Sequence, residues 1–244
     1  MTSYVLVPGA DGRAWYWHRL VPELRARGHQ VVTLDLPADP AADLDTFADA
    51  ITGAIHRSRG ESRGASRGEQ TSDRLVLVAQ SLAGFSAPLV CERLPVDELV
   101  LLNAMIPAPG ETAGQWWERT GQPQARAAYA TATGRDPQAD FDPRVEFFHD
   151  VPQELTEYAL AQEVGQPPAA LFAQPWPLTG WPEVPTRVLQ GREDRFLPLE
   201  FQRRVVRERL GPGRVPAVEE IPGGHLAALS RPSELAAQLL RTDR

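Results

Sequence analysis

The sequence predicts an α/β protein whose doubly wound, mostly parallel sheet of about six strands is covered by helices. Short β-branched apolar runs alternate with helix-like segments along most of the chain. The runs are continuously apolar, which is typical of parallel strands buried on both faces. A length of 244 residues is sufficient for one sizeable hydrophobic core.

The strands and helices can be assigned in chain order from these patterns. The first part of the chain predicts strand YVLVP, helix WYWHRLVPELRARG, strand HQVVTLDLP, helix DLDTFADAITGAIHR, strand RLVLVA, a helix through Val90 and strand DELVLLN. Gly28 closes the first helix, since glycine readily takes the left-handed backbone that ends helices. The last part predicts strand TRVLQG, helix LEFQRRVVRERLG, strand VPAVEEIP and helix SELAAQLLR.

Two segments interrupt the alternation of strands and helices. Residues 57–73 contain the tripeptide SRG three times, and their Gly, Ser and charge content predicts a solvated, flexible loop. The second segment is rich in Pro, Trp and Phe and is too long for a plain connection. We therefore expect a helical cap at residues 105–180, inserted in a core formed by residues 1–104 and 181–244. Such a cap would cover the C-terminal edge of the sheet, where α/β folds place their ligands.

Composition excludes several classes of function. A net charge of −7 disfavours nucleic-acid binding, which needs a basic face. The chain has no lysine, so Schiff-base chemistry is excluded. The histidines are too scattered for a metal site, and no phosphate-binding glycine loop is present, so we predict no metal and no cofactor. A single cysteine, no apolar stretch long enough for a bilayer and no signal-peptide pattern predict a cytoplasmic protein without a membrane partner.

Three residues that could form a catalytic triad each follow a predicted strand. Ser81 comes directly after RLVLVAQ, Asp194 follows TRVLQ within GREDRFLP, and His225 follows VPAVEEI within PGGHLAAL. Nucleophile, base and orienting acid are the groups that acyl transfer needs, and the order Ser, Asp, His occurs in α/β-hydrolases. Glu193 is a rival for the acid, but the spacing to Pro198 favours Asp194.

The surroundings of Ser81 resemble a nucleophile elbow, G-x-S-x-G, in which alanine replaces both glycines. Ala79 and Ala83 are the next smallest residues, and Gly84 follows at once. The motif needs small residues because strand and helix approach closely at the turn, so VAQSLAG keeps the steric requirement. The alternative is an ordinary serine at a helix N-cap.

The N-terminal stretch VLVPGADGRAWYWHRLVPELRARGHQVVTLDLP resembles the opening of the plant methylesterase and hydroxynitrile lyase group of α/β-hydrolases. This resemblance implies an α/β-hydrolase fold and an oxyanion hole made by the backbone N–H groups of Ala10 and Leu82. Gln80 stands where the group usually has a histidine. The lysine that its lyases use to manage cyanide is missing, which disfavours a lyase.

The resemblance and the aromatic content of the insertion predict a pocket. Its candidate wall residues are Gln80, Met105, Trp116, Trp117, Phe147 and Trp176, although core packing explains the aromatic ones equally well. His149 could contact substrate or pack structurally. Of Trp15 and Trp17, at least one is expected in the core, and Asp11 is either a pocket group or a turn residue.

These features together predict an ester hydrolase whose partner is a small or medium apolar carboxylic ester. The expected route is a Ser-His-Asp triad with an acyl-enzyme intermediate. One alternative is another reaction on the same scaffold, such as perhydrolase or haloperoxidase chemistry, C–C bond hydrolysis or a lyase reaction. The other is a ligand-binding homologue that keeps the triad but turns over little.

Overall fold

A computed structural model describes residues 1–65, 74–162, 166–211 and 217–241. Within these residues, six strands form one sheet in the order β2-β1-β3-β4-β5-β6, and every neighbouring pair is parallel. The strands are β1 (Thr2–Val7), β2 (Gln30–Thr33), β3 (Arg74–Gln80), β4 (Glu98–Leu102), β5 (Thr186–Gly191) and β6 (Val218–Ile221). The predicted α/β class and strand number are confirmed.

Both faces of the sheet are buried, as the continuous apolar runs predicted. On β1, Val5 and Val7 belong to one hydrophobic cluster, whereas Tyr4 and Leu6 belong to the other. Successive side chains of a strand point to opposite faces, so the two clusters are the two faces of one sheet. Each face needs its own layer of helices.

The helices outside the insertion cover these two faces. On one face lie α1 (Leu20–Arg25) and α11 (Pro232–Leu239), which contact each other. On the other lie α2 (Leu44–Ala65), α3 (Ala87–Cys91) and α9 (Leu199–Leu210). The short α10 (Ala227–Ser230) directly precedes α11. No described helix is both long enough and apolar enough to cross a membrane.

Among the described residues between β4 and β5 there are five helices, in the insertion that the sequence predicted to be helical. They are α4 (Ala113–Thr120), α5 (Gln122–Ala132), α6 (Pro143–Glu146), α7 (Gln153–Ala161) and α8 (Ala169–Ala173). A capping box between Thr112 and Gln115 starts α4, and Gly121, with φ of 66°, ends it. The division of the chain into core and cap domains stays a prediction.

The expected loop at residues 57–73 needs correction. Helix α2 continues to Ala65, so residues 57–65 are helical, and residues 66–73 lie outside the described residues. The polar composition of this stretch indicated solvation but did not determine its backbone. Arg, Glu and Ala all favour helix, and a helix can extend into solvent on such residues.

The strand order sets the position of a site. Strand β1 lies between β2 and β3, so the chain leaves β1 toward one edge of the sheet and continues from β3 toward the other. In open α/β sheets, ligands bind at the carboxyl ends of the strands next to such a switch. The segments that follow β1 and β3 contain Ala10 and Ser81.

Candidate active site

Ser81 sits on a sharp turn between β3 and a short 3₁₀ helix (Ser81–Gly84). Its φ is 52°, a left-handed value that is uncommon for any residue other than glycine. The turn is tied to the end of β4, because the Met105 N–H donates to the Ser81 carbonyl at 3.0 Å. Backbone strain of this kind clusters at functional sites.

Close packing explains which small residues the turn requires. A Cβ added to Gly84 would lie 1.8 Å from the Met105 carbonyl oxygen, so this position accepts glycine alone. Ala79 and Ala83 are buried and fit with their methyl groups. A Cβ on Gly9 would lie 2.9 Å from Ser81 Cβ, which brings the turn after β1 against the serine.

The structure brings the three predicted triad residues together in one buried hydrogen-bond chain. His225 Nε2 lies 3.1 Å from Ser81 Oγ, and His225 Nδ1 lies 2.9 Å from Asp194 Oδ2. Ser81 is 7% exposed, His225 is 2% exposed and Asp194 is 0% exposed. Only a small part of Ser81 reaches the outside, which is the side from which a ligand would approach.

Asp194 is held as a fully hydrogen-bonded carboxylate. Its Oδ1 accepts the N–H groups of Phe196 and Leu197, both at 2.9 Å. Its Oδ2 accepts Gln190 Nε2 at 3.0 Å besides the His225 ring. These four contacts satisfy both oxygens of a side chain that is buried from solvent.

The rival acid Glu193 has a different contact. Its carboxylate accepts the N–H of Gly223, two residues before the histidine. Of these neighbouring acids, Asp194 therefore contacts the imidazole and Glu193 contacts the backbone of the loop.

The His225 ring lies between two phenylalanines. Phe147, from the end of α6, stacks on it with ring centroids 4.9 Å apart and planes 27° apart. Phe196 meets it edge-on at 5.3 Å. One stacked and one edge-on aromatic contact restrict rotation of the imidazole.

A cavity of about 200 Å³ opens onto Ser81 and His225. Gln80 and Phe147, two of the candidate wall residues, line it together with Ala10, which the resemblance implied as an oxyanion donor. Most of the remaining wall is apolar. It is completed by residues from four segments: the one after β1, the one between α6 and α7, the C-terminal end of α7 with the residue after it, and the one after His225. They are Asp11, Arg13, Trp15, Tyr16, Phe148, Ala159, Leu160, Gln162, Leu226 and Leu229.

Four predicted pocket residues lie outside this cavity. Trp116 and Trp176 are buried in the core, where their Nε1 atoms donate to the carbonyls of Ile106 and Phe85. Trp117 packs against Phe196. Met105 is also buried, and its main chain contacts the Ser81 turn. Met105, Trp116 and Trp176 are thus buried in the structure, whereas Trp117 is partly buried.

Several cavity residues were missed or left undecided by the sequence. Trp15 lines the cavity while Trp17 is fully buried, a split that the W-x-W spacing allowed but did not assign. Phe148 could have been found as the neighbour of Phe147. Leu160 carries no motif, and only the position of α7 reveals it.

Polar groups at the cavity are few, and the protein shifts two of their pKa values. Burial raises the pKa of the Tyr16 hydroxyl, and several carboxylates add to that shift. Asp11 is exposed at the cavity mouth, but partial desolvation still raises the pKa of its carboxyl. His149 lies outside the cavity beside Gly224, where desolvation lowers its pKa.

Comparison with known proteins finds several named hydrolases and esterases that are similar to this chain. The chain is similar to the pyrethroid hydrolase of Sphingobium wenxiniae, with 28% identity over 97% of this chain and 85% of the relative. It is also similar to the polyneuridine aldehyde esterase of Rauvolfia serpentina, with 24% identity over 97% and 94% of the two chains. Methylesterase 3 of Arabidopsis thaliana is 23% identical over 97% and 94%.

Solved structures show the same fold. The crystal structure of polyneuridine aldehyde esterase matches with a TM-score of 0.71 and 21% identity, covering 98% of each chain. A pyrethroid hydrolase from Sphingobium faniae matches with a TM-score of 0.61 and 26% identity, covering 98% of this chain and 95% of that one.

The relatives are named as esterases and hydrolases, which supports a carboxylic ester hydrolase. The model of the Alpha/beta hydrolase family matches residues 4–238, nearly the whole chain. This chain therefore belongs to the alpha/beta hydrolase family and resembles its methylesterase group.

Proposed function

We propose that this protein is a serine hydrolase that cleaves carboxylic esters of small or medium apolar substrates. The observation that carries the proposal is the Ser81–His225–Asp194 hydrogen-bond chain at the floor of an apolar cavity. The esterase and hydrolase names of the relatives support the same chemistry.

The triad distances suit nucleophilic attack assisted by a base. His225 Nε2 takes the Ser81 proton as the serine oxygen attacks the ester carbonyl. His225 Nδ1–H donates a hydrogen bond to the Asp194 carboxylate and keeps its proton, which fixes the tautomer of the imidazole and stabilises the imidazolium that forms. His225 then protonates the leaving alcohol. In the second half-reaction the same nitrogen activates the water that cleaves the acyl-enzyme.

The oxyanion of the tetrahedral intermediate would be bound by the N–H groups of Ala10 and Leu82. Ala10 lines the cavity, and the neighbouring Gly9 lies against Ser81. Leu82 follows the serine directly in the 3₁₀ turn. Two preorganised donors at such a position are each worth about 10²–10³ in rate in related sites.

The walls of the cavity favour an apolar substrate. Trp15, Phe147 and Leu160 offer large apolar surfaces, and the volume of about 200 Å³ suits a small or medium group. In this proposal residues 105–180 form the cap, because Phe147 and α7 contribute to the wall from within that segment.

Replacement of the nucleophile tests the proposal. Ser81→Ala should lower turnover of a panel of p-nitrophenyl esters by at least about 10³-fold, because no other group replaces the attacking oxygen. It should also abolish labelling by a fluorophosphonate probe. Ser86→Ala is the matched control, since Ser86 is a buried serine five residues away whose hydroxyl donates to the Ala83 carbonyl.

Full esterase activity in purified Ser81→Ala would contradict the assignment. A wild-type protein that neither labels with the probe nor turns over any ester would favour the ligand-binding alternative. Probe labelling of the wild type without ester turnover would instead favour another reaction on the same scaffold.

A further inference from the structure

The short loop that carries His225 is held on its inner side by the core. The carboxylate of Glu193 accepts the Gly223 N–H. The buried Asn103 side chain donates to the carbonyls of Gly224 at 3.1 Å and His225 at 2.9 Å. These contacts come from the segments that follow β4 and β5, so they belong to the hydrolase core itself.

The same loop is held on its outer side by the insertion. Asp150 Oδ2 accepts the Gly224 N–H at 2.8 Å. The fit is close, because a Cβ on Gly224 would lie 2.9 Å from Asp150 Oδ1 and 2.6 Å from His149 Nε2. Phe147, three residues before Asp150, stacks on the His225 ring. One four-residue stretch of the insertion thus contacts both the backbone and the ring of the histidine segment.

We propose that Asp150 is a positioning residue, which fixes the Gly224–His225 backbone from the insertion and so keeps His225 Nε2 in line with Ser81 Oγ. The inference rests on the proposed function, in which His225 is the base. Asp150 does not line the cavity and touches no substrate in this proposal.

The physical reason is the pair of glycines before the histidine. Gly223 has a φ of 98°, and two consecutive glycines leave the backbone more freedom than any other residues would. A carboxylate acceptor makes a stronger hydrogen bond to an N–H than a neutral acceptor does. Proton transfer is sensitive to small displacements of the base, so a loosened loop affects the chemical step more than binding.

Variants of Asp150 test this role. Asp150→Ala should lower kcat for p-nitrophenyl butyrate by on the order of tenfold to a hundredfold while KM changes less than about twofold. The second-order rate of fluorophosphonate labelling at Ser81 should fall by the same factor, since labelling needs the same base. Asp150→Asn should recover most of both rates, because its amide oxygen can still accept the Gly224 N–H.

Glu154→Ala is the matched control, because Glu154 is an exposed acid in the first turn of α7, four residues from Asp150. It should leave kcat, KM and labelling unchanged. Asp150→Ser, whose hydroxyl is too short to replace the carboxylate, takes the place of the alanine variant if that variant does not fold.

A folded Asp150→Ala or Asp150→Ser protein with kcat and labelling rate within about twofold of the control would overturn the inference. So would an asparagine variant that is as slow as the alanine one, or a loss confined to KM. Failure of the proposed function is seen separately, as persistent activity in Ser81→Ala.

Discussion

Two parts of the insertion use the same kinds of residues for different ends. The packed part comprises α4, α8 and Trp176, and the cavity part comprises α6 and α7 with the segment between them. In the packed part, Trp116, Leu171 and Trp176 are at most 2% exposed and belong to a core cluster. In the cavity part, Phe147 and Leu160 are only partly buried and line the cavity.

The two parts are also fastened differently. The segment that leads into α4 fastens the packed part. Its fully buried Glu111 forms an ion pair with Arg209 of α9, and its Thr112 pairs with Pro175, next to Trp176, in an isolated β-bridge. The cavity part exposes Val145 and Tyr158 and meets the histidine loop through Asp150. The comparison teaches that an aromatic residue becomes core or pocket wall according to its enclosed partners, not its residue type.

The largest expected effect concerns the packed part. Trp116→Ala should lower the free energy of unfolding by about 3–5 kcal/mol, because a fully buried ring and its hydrogen bond to Ile106 are lost. KM for a p-nitrophenyl ester should stay unchanged. Denaturant unfolding and steady-state kinetics measure the two quantities.

Tyr158→Ala is the counterpart in the cavity part. Tyr158 is 48% exposed, so this substitution should lower the free energy of unfolding by less than about 1 kcal/mol. The distinction between the two parts would be contradicted if Trp116→Ala raised KM strongly but unfolded at the same midpoint denaturant concentration as the wild type.

An effect of intermediate size is expected on the pH dependence of stability, through His149 in the cavity part. Desolvation lowers the pKa of His149, and Arg195 adds to that shift, while Asp150, Glu193 and Asp194 oppose it. The unfolded chain therefore binds a proton near pH 6.5 that the folded chain does not bind until a lower pH. Stability from this group is complete above pH 6.5 and is lost as the pH falls through the folded pKa.

His149→Gln should flatten this pH dependence of the unfolding free energy between pH 7.5 and 5. Because a single histidine binds one proton, the substitution can lower the slope of the unfolding free energy against pH by at most about 1.4 kcal/mol per pH unit. Urea unfolding at several pH values measures it, with His56→Gln on the exposed side of α2 as control. A slope equal to that of wild type would contradict the burial of His149 in its neutral form.

The smallest effect on stability is expected inside the cavity. Ala159→Leu adds apolar volume to the wall at α7, where leucine is a good helix former, so stability should change by less than about 0.5 kcal/mol. The ratio of kcat/KM for p-nitrophenyl hexanoate to that for the acetate should fall by about tenfold or more.

Ala161→Leu is the control, since Ala161 is exposed on the same helix. An equal fall in both variants would contradict the assignment of α7 to the cavity wall.

The sheet could be predicted from the sequence because the four inner strands, β1, β3, β4 and β5, are mostly buried and mostly apolar. The meeting of Ser81, Asp194 and His225 was predictable for a related reason, since each motif follows a strand and the carboxyl ends of parallel strands share one edge. The cavity wall was not predictable. Trp116 and Phe147 carry similar local signals, and only the positions of α4 and α6 separate them.

Hydrogen bonds from side chains to main-chain atoms could not be predicted from the sequence either. Asn103 and Asp150 each hold the histidine loop through main-chain atoms, which leave no residue pattern on the partner side. The helix that continues to Ala65 was missed because polarity reports contact with water and not backbone conformation.

The crowding at Gly84 has a consequence for how such proteins are found and altered. The pattern G-x-S-x-G does not match this chain, because residues 79 and 83 are alanine. The position that accepts only glycine is residue 84, where a side chain would collide with the carbonyl of Met105. Libraries built around the serine can therefore vary residues 79 and 83 among small side chains, but residue 84 must be kept. A search that scores how near two loops approach would detect members of this kind that letter patterns omit.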